Sequence, residues 1–205
     1  AGEGGARYPK APAPDALARA SDLLSDEARQ AIRAGGGVRA SDAAGSLEAL
    51  ADHLNAPVVT TYKGKGTLAE DHPLSAGVLC GGTSPEVASV LEDADALLAV
   101  GTDFDAVATG EWAYDLPDEL VHVTYHAGDI GTGYDPAVGI LGDADATLRS
   151  LRESLPAGDG DGETRAQDAR RADRARVGAR VDEPEGPPPS AEAPRAVREA
   201  GARPA

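Results

Sequence analysis

Sulfur is nearly missing from this chain: Cys80 is the single cysteine and there is no methionine. A lone cysteine excludes an intramolecular disulfide and any cysteine-based zinc site. Aromatics are scarce, with one Trp, one Phe and five Tyr in 205 residues. Lysine is confined to Lys10, Lys63 and Lys65, the other basic residues being arginine. No apolar run approaches the ~20 residues needed to cross a bilayer. The N-terminus lacks a basic segment followed by an apolar core, so no signal peptide is read, and the location expected is the cytoplasm. Ala1 stands where an initiating Met would, as in a fragment or a processed product.

What is abundant is acid. Asp and Glu outnumber Lys and Arg by 35 to 19, a formal charge of −16. Phosphates are repelled by such a surface, so neither a nucleic-acid nor an anionic-membrane partner is expected. A dense carboxylate surface with few lysines also suits high salt, which screens its self-repulsion. Salt adaptation is the reading taken.

The chain is long enough for one domain with a sizeable core, plus tails. Residues 1–14, rich in Gly, Pro and Ala, read as a linker. Helical apolar spacing follows in Leu17, Ala20, Leu23 and Leu24. From there to Leu155 strand-like and helix-like stretches alternate. Ala31 to Ala34 leads into Gly35-Gly36-Gly37. Leu47, Leu50, Ala51 and Leu54 share one face of a helix over 46–54. Pro57 to Thr61 reads as a buried strand. Ser84 caps a helix with Pro85 at its first position. The run Ala96-Leu97-Leu98-Ala99-Val100 is typical of a parallel strand covered on both faces. Leu120 to Val123 and Ala137 to Leu141 are further strands, and a closing helix spans 145–155.

This alternation predicts an α/β fold: a doubly wound, mostly parallel sheet with helices on both faces, Rossmann-like. Ligands bind such sheets at the carboxyl ends of the strands. Polar and glycine-rich residues gather there, after Ala34, Val59, Val100 and Val123. Beyond 155 the character changes. Gly158 to Gly162 reads as a flexible linker, Glu163 to Val181 as a charged, weakly anchored helix, and Asp182 to Pro189 as a Pro-rich linker. Residues 191–200 read as a short helix, so 156–190 form a connecting segment.

Three loops could carry chemistry. Gly35-Gly36-Gly37 allows a phosphate or ring to approach main-chain N–H groups, or makes a tight turn. It is not a GxGxxG fingerprint. Thr60 to Gly66 carries hydroxyls and two cations, suited to an anionic cofactor or to solvent, but has no Walker A order. Asp103 and Asp105, after Gly101, could face a metal or cap a helix. His53, His72, His122 and His126 have no HxxxH or HExxH spacing, so no metal ligand is assigned. His122 reads as a satisfied strand residue. No GxSxG elbow occurs.

The order of these segments resembles the central domain of thiamine-diphosphate-dependent enzymes, nearest the acetolactate synthases. The resemblance runs over about residues 28–155. It rests on Ala34 to Val38, Pro57 to Thr61, Lys63 to Gly66, Glu70 to Leu74, Gly77 to Leu79 and Gly81-Gly82-Thr83. It continues through Ala94-Asp95, Ala99 to Gly101, Phe104-Asp105, Val107, Thr109-Gly110, Val121 to Val123, Asp129 to Gly131 and Gly142 to Ala144.

The resemblance implies a central domain over 15–155, of the DHS-like NAD/FAD-binding type, between a pyrimidine-binding and a diphosphate-binding domain. Residues 191–205 would be the truncated start of the latter. Thiamine diphosphate and Mg2+ would belong to the full-length parent, a homodimer or tetramer acting on 2-oxo acids, and not to this chain alone. No residue here is assigned a catalytic role. In the acetolactate synthases the central domain carries FAD. Carried over, the facing positions are Gly35, Gly36, Gly37, Thr61, Tyr62, Gly82, Thr83, Gly101, Asp103 and Asp105. The chain departs from that pattern where the family commonly has two Arg, here Asp103 and Ala106. It departs again where two acidic residues are usual, here Thr124 and His126. FAD is therefore left open. Gly158-Asp159-Gly160 imitates the start of the family's metal-diphosphate motif, but the asparagine that closes that motif is missing, Asn55 being the only one in the chain. Two other readings stand beside this one: a stand-alone FAD- or NAD-binding module, and a degenerate structural fragment.

Overall fold

The computed structural model describes residues 11–26, 29–79 and 84–182. Gly82 and Thr83, Cys80, most of the N-terminal linker and everything after 182 lie outside the described residues. The chain divides into two units, residues 1–173 and 174–205. Of the second, the described part is the helical stretch 174–182.

The first unit is built on a six-stranded, all-parallel sheet of order β3-β2-β1-β4-β5-β6. The strands are β1 (Gln30–Ala34), β2 (Val58–Thr61), β3 (Ser75–Leu79), β4 (Ala96–Val100), β5 (Leu120–Thr124) and β6 (Val138–Leu141). The order reverses between β1 and β4, which makes the topological switch point of a doubly wound fold. The helices are α1 (Pro14–Asp26), α2 (Gly36–Ala40), α3 (Ala44–Leu54), α4 (Pro85–Glu92), α5 (Ala106–Thr109), α6 (Ala144–Ser154) and α7 (Gly162–Asp182).

Both faces are covered, as the near-continuous apolar strands require. On one face α1, α3 and α6 bury Leu24, Leu47, Leu50 and Leu148 against Ile32, Leu98, Val121 and Ile140. On the other, α4 and the start of α7 bury Leu91, Ala166 and Ala169 over Val59, Leu97 and Ala99. α3 ends at Asn55, whose left-handed backbone closes the helix. α6 begins at Asp143, whose carboxylate accepts the Ala146 N–H at 3.1 Å.

Four local expectations need correction. The glycine triplet is not a free loop: Gly35 caps α2, and Gly36 and Gly37 lie in its first turn. Ser84 stands at the cap position of α4 without using its hydroxyl. Its carbonyl takes the Val87 and Ala88 N–H groups, and the buried Oγ has no hydrogen-bond partner. The Gly158–Gly162 stretch is docked on the end of α3, not loose. Gly158 N–H donates to His53 O at 2.8 Å, and a Cβ on Gly158 would lie 2.0 Å from Leu54 O. The helix after it is anchored through its first turns. Arg165 donates to the carbonyls of Gln30 and Val90 at 2.9 and 3.0 Å. Arg170 donates to those of Glu70 and His72 at 2.9 and 3.0 Å. Guanidinium forks here add to the small apolar contact made by Ala166 and Ala169.

β3 had no separate reading as a strand. Gly77 interrupts its apolar pattern at φ +127, and its pairing with β2 shifts register between Val58 and Val59.

Candidate functional site

At the switch point the loops leaving β1 and β4 cross almost in contact. Gly35 N–H donates to Val100 O at 2.9 Å and Gly37 N–H to Gly101 O at 2.8 Å. A Cβ on Gly35 would sit 2.2 Å from Gly101 O, and Gly101 itself turns at φ +62. Only glycine permits both the turn and the approach. The crossing opens outward into a crevice of about 260 Å³.

Seven of the described candidates line it: Gly36, Gly37, Thr61, Tyr62, Gly101, Asp103 and Asp105. Gly35 lies beneath, in the crossing itself. Thr61 is turned inward to its own loop, its Oγ1 accepting Gly64 N–H at 3.1 Å. Asp105 caps α5, accepting Ala108 N–H at 2.8 Å.

The residue missed among the candidates is Lys63. Its ammonium lies 3.1 Å from Asp105 Oδ2 and 3.4 Å from Asp103 Oδ2, and 5.5 Å from the centre of the Tyr62 ring. The Asp105 carboxylate and then Tyr62 push its pKa up, with Asp103 adding to them against a small cost of burial. Partial burial opposes the shift of Asp105, but the Ala108 N–H and Lys63 hold its carboxyl below the ordinary range. Arg39 reaches under this loop, donating to Lys63 O and, at 2.9 Å, to Lys65 O. Only the presence of cations in Thr60–Gly66 hinted at this; which carboxylates they meet depends on loops forty residues apart.

The loop after β5 closes the other side. Thr124 and His126 line the crevice, and Asp129 brings a carboxylate that neither of them carries. Thr124 Oγ1 donates to Asp129 Oδ2 at 2.8 Å. Tyr125 stands on this lip, partly exposed, as Tyr62 does on the opposite one.

Below the crevice, on the α4 face, sits a buried polar layer. Arg33 of β1 and His122 of β5 are fully buried on either side of Ala99, with which both pair in register. Phe104 covers both: the Arg33 guanidinium lies 4.7 Å from its ring centre and His122 packs edge-on at 4.9 Å. Arg33 donates to Ala108 O at 3.3 Å, while its Nε and Nη1 find no partner. Burial lowers its pKa to about 10 against the pull of Tyr134 and Tyr114. His122 is half satisfied, not fully: Nε2 donates to Thr102 O at 2.8 Å and Nδ1 has no partner. Burial pushes its pKa down despite that bond.

One group among the described residues brings three metal-ligand types together, Glu48, Asp52 and His72. His72 Nδ1 accepts Leu74 N–H at 3.2 Å, which leaves the proton on Nε2, 3.4 Å from Asp52 Oδ1. Nε2–H thus faces the Asp52 carboxylate, and with both ring nitrogens engaged the imidazole offers no lone pair to a cation. The Gly-Asp-Gly triplets of 158–162 follow a helix, not a strand, and Gly160 O is held by Asn55 Nδ2 at 2.6 Å. No helix among the described residues is long and apolar enough to cross a membrane.

Fold and crevice together define a doubly wound α/β domain with its functional rim at the β1/β4 switch point. The family model for the thiamine pyrophosphate enzyme central domain matches residues 17–151, and the chain belongs to that family. It is 34% identical over 140 residues to a probable acetolactate synthase large subunit of Methanocaldococcus jannaschii, covering 68% of this chain and 24% of that protein. It is 38% identical over 148 residues to a probable 2-ketoarginine decarboxylase of Pseudomonas aeruginosa, covering 71% and 25%. It is 30% identical over 140 residues to a 3D-(3,5/4)-trihydroxycyclohexane-1,2-dione hydrolase of Clostridium perfringens, covering 67% and 22%. The chain thus spans about a quarter of the length of these relatives.

Proposed function

We propose that this chain is the central, positioning domain of a thiamine-diphosphate- and magnesium-dependent enzyme acting on 2-oxo acids, of the acetolactate synthase kind. Residues 15–155 form that domain, 156–190 lead away from it, and 191–205 begin a diphosphate-binding domain. The complete enzyme is a cytoplasmic homodimer or tetramer, and pyrimidine- and diphosphate-binding domains supply its reacting groups. When bound there, thiamine diphosphate supplies the electron sink that decarboxylation of a 2-oxo acid requires.

The observation that carries this reading is the match to the central domain of relatives of which the chain covers about a quarter. The side chains agree with it. The residues present do not fit either group: the Gly-Asp-Gly loop is bound to α3, and the carboxylates of the crevice are engaged with Lys63, Thr124 or the cap of α5. What these residues do is hold a rim in shape. Tyr62 and Tyr125 are partly exposed on it in a chain with seven aromatics, a surface suited to contact with other domains.

The test is reconstitution. The purified chain with thiamine diphosphate, Mg2+ and pyruvate or longer 2-oxo acids shows no CO2 release. Joined to pyrimidine- and diphosphate-binding domains of an active relative, in place of that relative's own central domain, it supports turnover. A folded chimera with both outer domains intact and no turnover overturns the proposal.

A further inference from the structure

We infer that the rim crevice is closed to dinucleotides, FAD included, and that Lys63 makes it an internal ion-pair latch. The inference uses family membership only to say which guest would be expected, so its failure leaves the positioning role untouched.

Phosphate binding at a strand-to-helix turn needs main-chain N–H groups free to point at the anion. Here three of the four in the turn are spent. Gly35 donates to Val100 O at the end of β4, Gly37 to Gly101 O just after it, and Val38 to Gly35 O at 3.2 Å. Gly36, the fourth, lines the crevice next to Lys63, and a Cβ built on it would lie 3.0 Å from Lys63 Cβ. The helix behind this turn has five residues and so contributes little dipole.

The charge is also wrong for a diphosphate. Among the described residues three carboxylates, Asp103, Asp105 and Asp129, line the crevice, and Lys63 is its only Lys or Arg. That one ammonium already bridges Asp103 and Asp105 and faces the Tyr62 ring. A diphosphate would have to take the lysine from two carboxylates and then sit beside them, with like charges at short range. At about 260 Å³ the space falls below the ~300–1,000 Å³ usual for drug-sized ligands. The same ammonium does positive work, tying the loop after β2 to the loop after β4 across the loop after β1.

The experiment titrates the purified chain with FAD, followed by flavin fluorescence, and with ADP and NAD+ by calorimetry, in dilute buffer and in molar KCl. No saturable binding is expected up to about 1 mM in either. A micromolar FAD affinity of the unaltered chain overturns the inference. The latch is read separately by amide hydrogen exchange. In Lys63→Ala the amides of residues 62–66 should exchange at least about tenfold faster, with β1 and β4 unchanged, since loops open locally when their ties are cut. Lys63→Arg should restore protection. Unchanged exchange in Lys63→Ala removes the latch from the account.

Discussion

On the face covered by α1, α3 and α6, strands β1, β4 and β5 present Ile32, Ala34, Leu98, Val100, Val121 and Val123, all buried and all apolar. On the opposite face the same three strands present an apolar row, Ala31, Leu97 and Leu120, and next to it a row that is partly polar, Arg33, Ala99 and His122. Alternation along a strand sends neighbouring residues to opposite faces, so both chemistries come from one short sequence each. The first face is held by area removed from water. The second keeps a guanidinium with two unpaired nitrogens and an imidazole with one, sealed under Phe104. Phe104 holds this lid with a left-handed backbone at φ +49, and Trp112, at φ +60, donates its Nε1–H to Phe104 O at 2.9 Å. The lesson is that burial by itself says little about stabilisation: an apolar residue at zero exposure stabilises, and an unpaired cation there costs.

The contrast is most exposed to refutation on the apolar face. Leu50→Ala on α3 leaves a hole among Leu47, Leu54 and their neighbours and should cost about 3 kcal/mol in urea denaturation, within the ~2–5 usual for such truncations. A loss under about 1 kcal/mol would mean this face is not the principal core.

On the other face the sign should reverse. Arg33→Met keeps the length of the side chain and removes the desolvated charge, so stability should rise by about 1–2 kcal/mol. A loss of similar size would show that the guanidinium has a partner unaccounted for by Ala108 and Phe104.

The polar face should also carry the pH dependence near neutrality. Burial holds the folded-state pKa of His122 below the ordinary 6.5. The unfolded chain therefore takes up the proton first, and stability declines as pH falls below about 6.5 until the folded pKa is also passed. One proton allows a slope of at most about 1.4 kcal/mol per pH unit. Denaturation from pH 7.5 to 5.5 should show this decline, and His122→Phe should flatten it. Asp105, held low by Ala108 and Lys63 in spite of partial burial, adds a decline of the same sign only below the carboxylate range near 3.8.

The smallest difference expected is in the salt response. Molar KCl screens the carboxylate surface of a chain at −16, so the melting temperature should rise for the parent, for Leu50→Ala and for Arg33→Met. Neither substituted site meets solvent, so the spacing between the three melting curves should hold. A fall with salt would count against a salt-adapted surface. A gain from Arg33→Met that vanishes in salt would place the guanidinium nearer to water than its burial indicates.

Much of the frame was legible in advance. Leu47, Leu50, Ala51 and Leu54 carry the period of α3, and Ala96–Val100 is apolar without a break because both sides of β4 are covered. Of the crevice, Gly36, Gly37, Gly101, Asp103 and Asp105 were legible through punctuation at strand ends. β3 was not, because Gly77 breaks its pattern. Nor was the anchoring of α7, because its ties run from Arg165 and Arg170 to main-chain carbonyls, and every residue type has one.

The sequence by itself determined the strand and helix order, the doubly wound class and the family, because periodicity and turn residues act over a few neighbours. The tertiary structure decided the partners of each charge. Lys63 meets Asp103 and Asp105, and Arg33 meets no carboxylate, only because strand order sets which loops and which faces adjoin. Coulomb and desolvation terms depend on distance in space and on access to water, and neither is written in the spacing of residues along the chain.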